Sequence, residues 1–163
     1  MKTTTFKVTH VEFVSSQPFA DVVARFERQL GQFDHGVFQT LISQNADPEA
    51  MRSAFQRMEG SSGMMLFGKL DHGGLLSIIG ARKQAVQFVV GNPLIALEMT
   101  RHDLGAGLYA PLRVLIFEDA QGQTRLEYDL PSSLFGRLNS DEISAVGRLL
   151  DAKMETLARM AIE

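Results

Sequence analysis

The sequence predicts an α+β fold, in which an antiparallel β-sheet carries helices packed mainly on one face as a two-layer sandwich. Two pairs of strand-like segments are each joined by a turn signal, which indicates hairpins and therefore antiparallel pairing. Several other segments repeat apolar residues at helical spacing, so each helix has one face to bury. Residues 1–163 are predicted to form a single domain, because 163 residues with 45% hydrophobic content can bury a substantial core.

The first third of the chain predicts one strand and three helices. Residues 6–14 (FKVTHVEFV) are rich in β-branched and aromatic side chains, which favour a strand. An amphipathic helix is predicted over residues 19–30, and a shorter helix over 37–42. Asp47 and Pro48 are typical of the start of a third helix, because Asp caps free N–H groups and Pro fits the first turn.

The middle of the chain contains a long apolar run that the sequence predicts as a hairpin. Residues 64–70 (MMLFGKL) and 75–79 (LLSII) would form its strands, and residues 71–74 (DHGG) its turn. Because both strands are almost entirely apolar, we expect them near the centre of the core.

A strand, a helix and a second hairpin follow. Residues 84–90 are the strand, and Asn92 and Pro93 are the helix cap and first helical residue. Strands over 112–119 and 124–130 flank the turn AQGQ, and apolar and charged residues alternate in the second. A last helix is predicted from about Asp141, where Asn139 and Glu142 resemble a capping box.

The overall composition narrows the function classes. A net charge of −3 without a cluster of Lys or Arg disfavours nucleic acid as a partner. The absence of cysteine removes disulfides, thiolate nucleophiles and cysteine-based metal sites. The N-terminus lacks the unbroken apolar stretch of a signal peptide, and no segment is apolar enough to span a membrane. We therefore expect a cytoplasmic protein without a membrane partner.

The stretch GNPLIALEMTRHDLGAGLYAPLRVLIFED (residues 91–119) resembles the family known as domain of unknown function 302. The resemblance is carried by Asn92-Pro93, Asp103, Gly107, Pro111 and the acidic pair Glu118-Asp119. It covers residues 84–130 well and implies a fold similar to the TATA-binding-protein class, in a compact domain that is often dimeric. It implies no agreed activity, so no catalytic set is carried over.

Three histidines, His35, His72 and His102, each adjoin an aspartate and are candidate metal ligands if the fold brings them together. The alternative for the first two is turn chemistry, because Asp bonds its own backbone and Gly follows the histidine. Asp71 and His72 are also kept as candidate binding residues.

The segment TRHD at the predicted end of a helix is a second candidate site. Arg101, His102 and Asp103 would form a polar cluster facing a cleft, and Arg113 after Pro111 could bind an anion. In the alternative, Arg101 and His102 favour the negative end of the helix dipole and Asp103 bonds the following turn. Arg113 would then line the wet face of a strand.

Three functions remain open. The first is a homodimeric binding module with an apolar groove for a small hydrophobic ligand or partner, because methionine and phenylalanine crowd the region around residues 51–65. The alternative is a metal-assisted hydrolase or isomerase that uses clustered His and Asp. Nucleic-acid binding is third and disfavoured. The sequence identifies no catalytic residue and no particular cofactor.

Overall fold

The centre of the fold is a six-stranded sheet. The computed structural model describes all 163 residues. The strand order is β1-β6-β5-β4-β3-β2, and every neighbouring pair is antiparallel except β2 and β3. The strands are β1 (His10–Ser15), β2 (Gly31–Gln32), β3 (Met65–Asp71), β4 (Ala85–Gly91), β5 (Leu112–Glu118) and β6 (Thr124–Asp129).

Helices cover one face of this sheet and leave the other open. On the covered face, Val114 of β5 lies opposite Phe88 of β4, and both side chains are fully buried. On the open face, Leu115 lies between Gln87 and Glu127, and all three stay partly exposed. The alternating burial confirms the period-two pattern and the α+β fold with one covered face.

Seven α-helices accompany the sheet. They are α1 (Phe19–Arg28), α2 (His35–Ser43), α3 (Pro48–Met58), α4 (His72–Leu75), α5 (Pro93–Thr100), α6 (Pro131–Phe135) and α7 (Asp141–Ile162). Short 3-10 helices occupy Leu76–Ile79, Leu104–Leu108 and Gly136–Leu138. Helices α1 and α7 bury apolar stripes in the main core, whereas α2 has no buried residue. None of the helices combines the length and apolar character needed to cross a bilayer.

The predicted helix starts at Asp47, Asn92 and Asp141 are confirmed, but the cap of α7 is one residue later than the predicted Asn139. Asp47 accepts hydrogen bonds from two N–H groups of α3, and Asn92 accepts one from Leu94. At α7 the cap is Ser140, whose Oγ accepts a hydrogen bond from the Ile143 N–H at 3.2 Å. Asn139 lies before it in the left-handed region, with φ of 52°.

The predicted hairpin of residues 64–79 is wrong in its second half. After β3, Asp71 accepts a hydrogen bond from the N–H of Gly74 at 2.7 Å, which starts a helical turn instead of a strand. A Cβ at Gly73 would overlap the carbonyl oxygen of Lys83, so this glycine permits a close backbone approach. The antiparallel partner of β3 is β4.

The apolar residues of that lost strand lie on the surface instead of in the core. Leu75, Ile78 and Ile79 are 61%, 83% and 76% exposed. A continuous apolar run has no period that distinguishes a buried strand from an exposed turn of helix, so the sequence overestimated its burial.

Both ends of the sheet also differ from the prediction. β1 begins at His10 and not at residue 6, and the two-residue strand β2 was not predicted. β2 is too short to carry a period, and its Gly31 lies where a Cβ would overlap the carbonyl oxygen of Met58. Tertiary packing, not local propensity, therefore determines this edge.

The same change from isoleucine to alanine at a buried and at an exposed position tests where the 75–79 segment lies. Ile116→Ala removes a fully buried side chain and should lower the free energy of unfolding by about 2–5 kcal/mol. Ile78→Ala, at an 83% exposed position, should change it by less than about 0.5 kcal/mol. Urea denaturation of both variants measures the difference, and equal losses would support the predicted core hairpin.

Candidate functional site

An apolar cavity of about 330 Å³ lies beyond the end of β4, between α5 and the segment that contains α2. Eleven of the 17 residues that line it are hydrophobic. Its floor belongs to the core, because five of the lining side chains there are buried: Met64, Met99, Leu112, Phe135 and Leu150. The cavity is therefore supported on one side by a tightly packed protein interior.

An aromatic cluster forms the wall towards α2. Phe33 stacks on Phe67 with ring centroids 4.3 Å apart and an interplanar angle of 18°. Phe38 approaches Phe33 at 5.8 Å, and buried Phe55 of α3 packs behind both rings. His35 stands edge-on to Phe33 at 4.7 Å, at the solvent-exposed rim. Aromatic pairs of this kind favour fixed ring positions, so the wall has a defined shape.

Asn92 holds the opposite wall in place. Its side-chain oxygen accepts a hydrogen bond from the Leu94 N–H at 2.8 Å and thereby caps α5. Its amide donates to Glu59 Oε1 at 2.8 Å and to the Gly63 carbonyl at 2.9 Å, which ties α5 to the loop between α3 and β3. Since Asn92 is only 7% exposed, these bonds are shielded from competing water.

The lining of the cavity contains few polar groups. His35 is the only ionisable side chain in the lining, and Gln39 is its exposed polar neighbour on α2. The amide of Asn92 is already fully engaged by protein atoms. The lining therefore offers one ionisable side chain and one exposed amide, both on α2.

The structure places the predicted pair Asp71-His72 away from this cavity. Asp71 caps α4, and exposed His72 lies near Phe117 and Glu118 at the end of the open sheet face. Asp71 therefore bonds nearby backbone, as in the turn alternative given for Asp-His-Gly, but at the start of a helix. The cap occupies one oxygen of Asp71, whereas the His72 ring forms no hydrogen bond.

The predicted TRHD cluster lies at the exposed end of α5, outside the cavity. Arg101 Nη2 pairs with Glu98 at 2.9 Å, and Arg101 Nε lies 3.2 Å from His102 Nε2. Asp103 accepts a hydrogen bond from the Gly105 N–H at 2.7 Å and so caps the next 3-10 helix. Arg113 is separate from them, exposed on β5 opposite Val89 of the open face.

The three candidate metal ligands occupy three different places. His35 contacts the aromatic wall, His72 lies at the end of the open sheet face, and His102 contacts Arg101. Nowhere does the chain bring three or more His, Asp or Glu side chains into a cluster suited to a metal ion. The three predicted histidines are therefore isolated from one another and share no site.

The structure contains a cluster of one histidine and two carboxylates that the sequence did not predict. His10 of β1 bridges two carboxylates of β6, with Nδ1 3.1 Å from Asp129 and Nε2 3.4 Å from Glu127. The hydrogen bond to Asp129 is the main cause that raises the pKa of His10 above 6.5. The alternating charges of both strands were visible in the sequence, but their pairing joins residues 119 positions apart.

The fold is that of an α+β protein with an open six-stranded sheet, and an apolar cavity lies beyond the end of β4. The chain belongs to the family described as "Domain of unknown function DUF302", whose model matches residues 39–161. That match confirms the family resemblance of residues 91–119.

A crystal structure of an uncharacterized conserved DUF302 protein from Bacillus stearothermophilus has the same fold. The two structures align with a TM-score of 0.65 at 14% sequence identity, and the alignment covers 93% of this chain and 97% of that one. No curated protein matched this chain.

Replacing Asn92 tests its role at the cavity wall. Asn92→Ala removes the cap of α5 and leaves the Gly63 carbonyl without its donor, so we expect a loss of about 2–4 kcal/mol in the free energy of unfolding. Asp103→Ala removes one exposed cap and should cost about 1 kcal/mol. Urea denaturation measures both, and equal small losses would contradict a structural role for Asn92.

The His10 cluster predicts a pH-dependent contribution to stability. Because the pKa of His10 is raised in the folded state, the protonated ring stabilises the fold below pH 6.5, and this contribution is lost as pH rises through the raised value. The stability difference between wild type and His10→Gln should therefore shrink from about pH 5.5 towards about pH 8. Asp129→Asn should flatten the same dependence, because it removes the main cause of the shift. Thermal unfolding across this range supplies the measurement, and a difference that grows with pH would contradict the assignment.

Proposed function

We propose that this protein is a binding module that takes a small apolar molecule into the cavity between α2 and α5. The observation that carries the proposal is the lining, in which a buried apolar floor meets an aromatic wall around about 330 Å³ of space. Ligand sites in proteins are concave, mostly apolar and supplied with a few polar groups that orient the ligand.

The lining also defines the kind of ligand. The volume lies at the lower end of the range for small-molecule sites, so the ligand has a compact body. Met64 and Met99 offer polarisable, adaptable surface, and the rings of Phe33 and Phe67 offer edges. Only His35 and Gln39 at the rim can meet a polar group, so we expect one polar end that points outwards.

The other functions considered from the sequence have less support. A metal-assisted hydrolase or isomerase needs clustered ligands, and its three candidate histidines lie in separate places. A nucleic-acid-binding sheet needs a basic surface, whereas the open face presents Glu12, Glu127 and Asp129 around His10. A cytoplasmic location and a homodimer remain predictions of the sequence and of the family resemblance.

Filling the cavity from α5 tests the proposal. Ala96 lines the cavity, so Ala96→Leu should place additional carbon atoms where a ligand would lie. We expect binding of the neutral fluorescent probe N-phenyl-1-naphthylamine to weaken at least about tenfold, equivalent to about 1.4 kcal/mol. Fluorescence titration of the folded protein measures the dissociation constant.

Ala145→Leu is the matched control, because Ala145 lies on the exposed surface of α7 and lines none of the cavity. It should bind the probe as wild type does. Circular dichroism and the melting temperature verify that both variants are folded. The proposal fails if folded wild type does not bind the probe, or if Ala96→Leu binds it as tightly as wild type.

A further inference from the structure

Strand β1 is a free edge of the sheet. It pairs with β6 on one side, and no strand lies on its other side. The opposite edge, β2, has only two residues, whereas β1 has six. The β1 sequence HVEFVS contains no proline, and its register with β6 shows no bulge. Proline and bulges are among the usual devices that prevent an edge strand from pairing with another chain.

The outward backbone groups of β1 are unpaired. The Leu130 N–H donates to the Thr9 carbonyl at 2.8 Å, so the odd-numbered residues direct their backbone groups towards β6. The N–H and C=O groups of His10, Glu12 and Val14 therefore point away from the sheet. No hydrogen bond from a loop, helix or side chain reaches these backbone groups.

We propose that β1 pairs antiparallel with β1 of a second copy of this chain, around a two-fold axis at Val11. The pairing joins two six-stranded sheets into one continuous sheet and satisfies the free backbone groups of both strands. It goes beyond the proposed ligand binding, because β1 contributes no residue to the cavity.

Several antiparallel registers would pair the free backbone groups, and the side-chain charges favour the register with the axis at Val11. With the axis at Val11, His10 lies opposite the partner's Glu12 and Glu12 lies opposite the partner's His10. Moving the axis to Glu12 places two glutamates opposite each other, and moving it to His10 does the same with two histidines. Opposite charges stabilise directly facing strand positions and like charges destabilise them.

The same register covers exposed apolar surface. Val8 and Val14 are 42% and 43% exposed. Val8 of each copy would lie opposite Val14 of the other copy. Val8 precedes β1, but Thr9 beside it is fixed through both its N–H, to Ser133 Oγ, and its C=O, to Leu130. A two-fold contact presents the same strand from both sides, so its residues must complement each other when the strand is reversed. The His10–Glu12 and Val8–Val14 pairs meet this requirement.

The oligomeric state of charge variants tests the surface. Wild type should have twice the 18.0 kDa mass of one chain in light scattering after size-exclusion chromatography. Glu12→Lys places like charges across the axis and should reduce the mass to 18.0 kDa. Glu49→Lys, the same charge change on exposed α3, should keep the dimer, as should His10→Lys, which preserves a positive charge opposite the partner's Glu12.

Single cysteines test the register, because the chain contains none. Val11→Cys places two thiols opposite each other at the axis and should give a disulfide-linked dimer under mild oxidation. Glu12→Cys should give little, because the two cysteines would not face each other. Circular dichroism verifies the fold of each variant, since Glu12→Lys also removes the ion pair with Arg125.

A wild-type chain that stays at 18.0 kDa overturns the proposal. So does a dimer that folded Glu12→Lys leaves intact, or cross-linking through Glu12→Cys in place of Val11→Cys. Probe binding by a monomeric protein would leave the proposed function standing while this inference fails.

Discussion

The three hydrogen bonds of the Asn92 side chain join the start of α5 to the loop between α3 and β3. Asn92 lies where β4 passes into α5, and its amide reaches Glu59 and Gly63 on the α3–β3 loop. The loop and the helix are consequently held at a fixed separation, and the cavity occupies part of the space beside them. A buried amide that satisfies a cap and a loop at once rigidifies both, because leaving any of these groups unpaired is costly.

The one-sided burial of the sheet explains why the cavity has one firm side and one weak side. Its floor uses Met64 and Met99, which are also members of the main core, so the floor cannot move without disturbing the fold. The outer wall includes α2, which has no buried residue of its own. Low burial gives a segment a low free energy of local opening. Exchange of a ligand would therefore proceed on the α2 side.

The features that could be predicted correctly from the sequence depend on residues close together in the chain. Asp47 and Asn92 were recognised as caps because the cap depends on the residue itself and its next few neighbours. Leu126 and Tyr128 alternate with charged residues, so the buried face of β6 was also readable. Ile78 and Ile79 were misplaced because an apolar run is equally consistent with a core strand and an exposed turn.

The candidate sites were harder to predict, because they depend on contacts distant in sequence. The cavity joins Phe33 to Leu112, and His10 meets Asp129 through the pairing of the first and last strands. Of the methionines around residues 51–65 that suggested an apolar binding surface, only Met64 lines the cavity, where it is joined by Phe33 and Phe67. Histidine–aspartate neighbours in sequence were less informative, because Asp71 and Asp103 bond the backbone ahead of them and not the adjacent ring.

The electrostatics of β1 depend on the same long-range pairing: Glu12 lies directly opposite Glu127, a like-charge pair that destabilises a sheet unless cations lie nearby. Arg125 contacts Glu12 at 2.6 Å and His10 contacts Glu127 at 3.4 Å, so both acids have a partner within their own chain. Charges on an edge strand oppose pairing with arbitrary strands, and they permit it only where the second strand presents the complementary order. The order His10, Glu12 is complementary to itself when reversed, which is the condition that an antiparallel contact between two copies must meet.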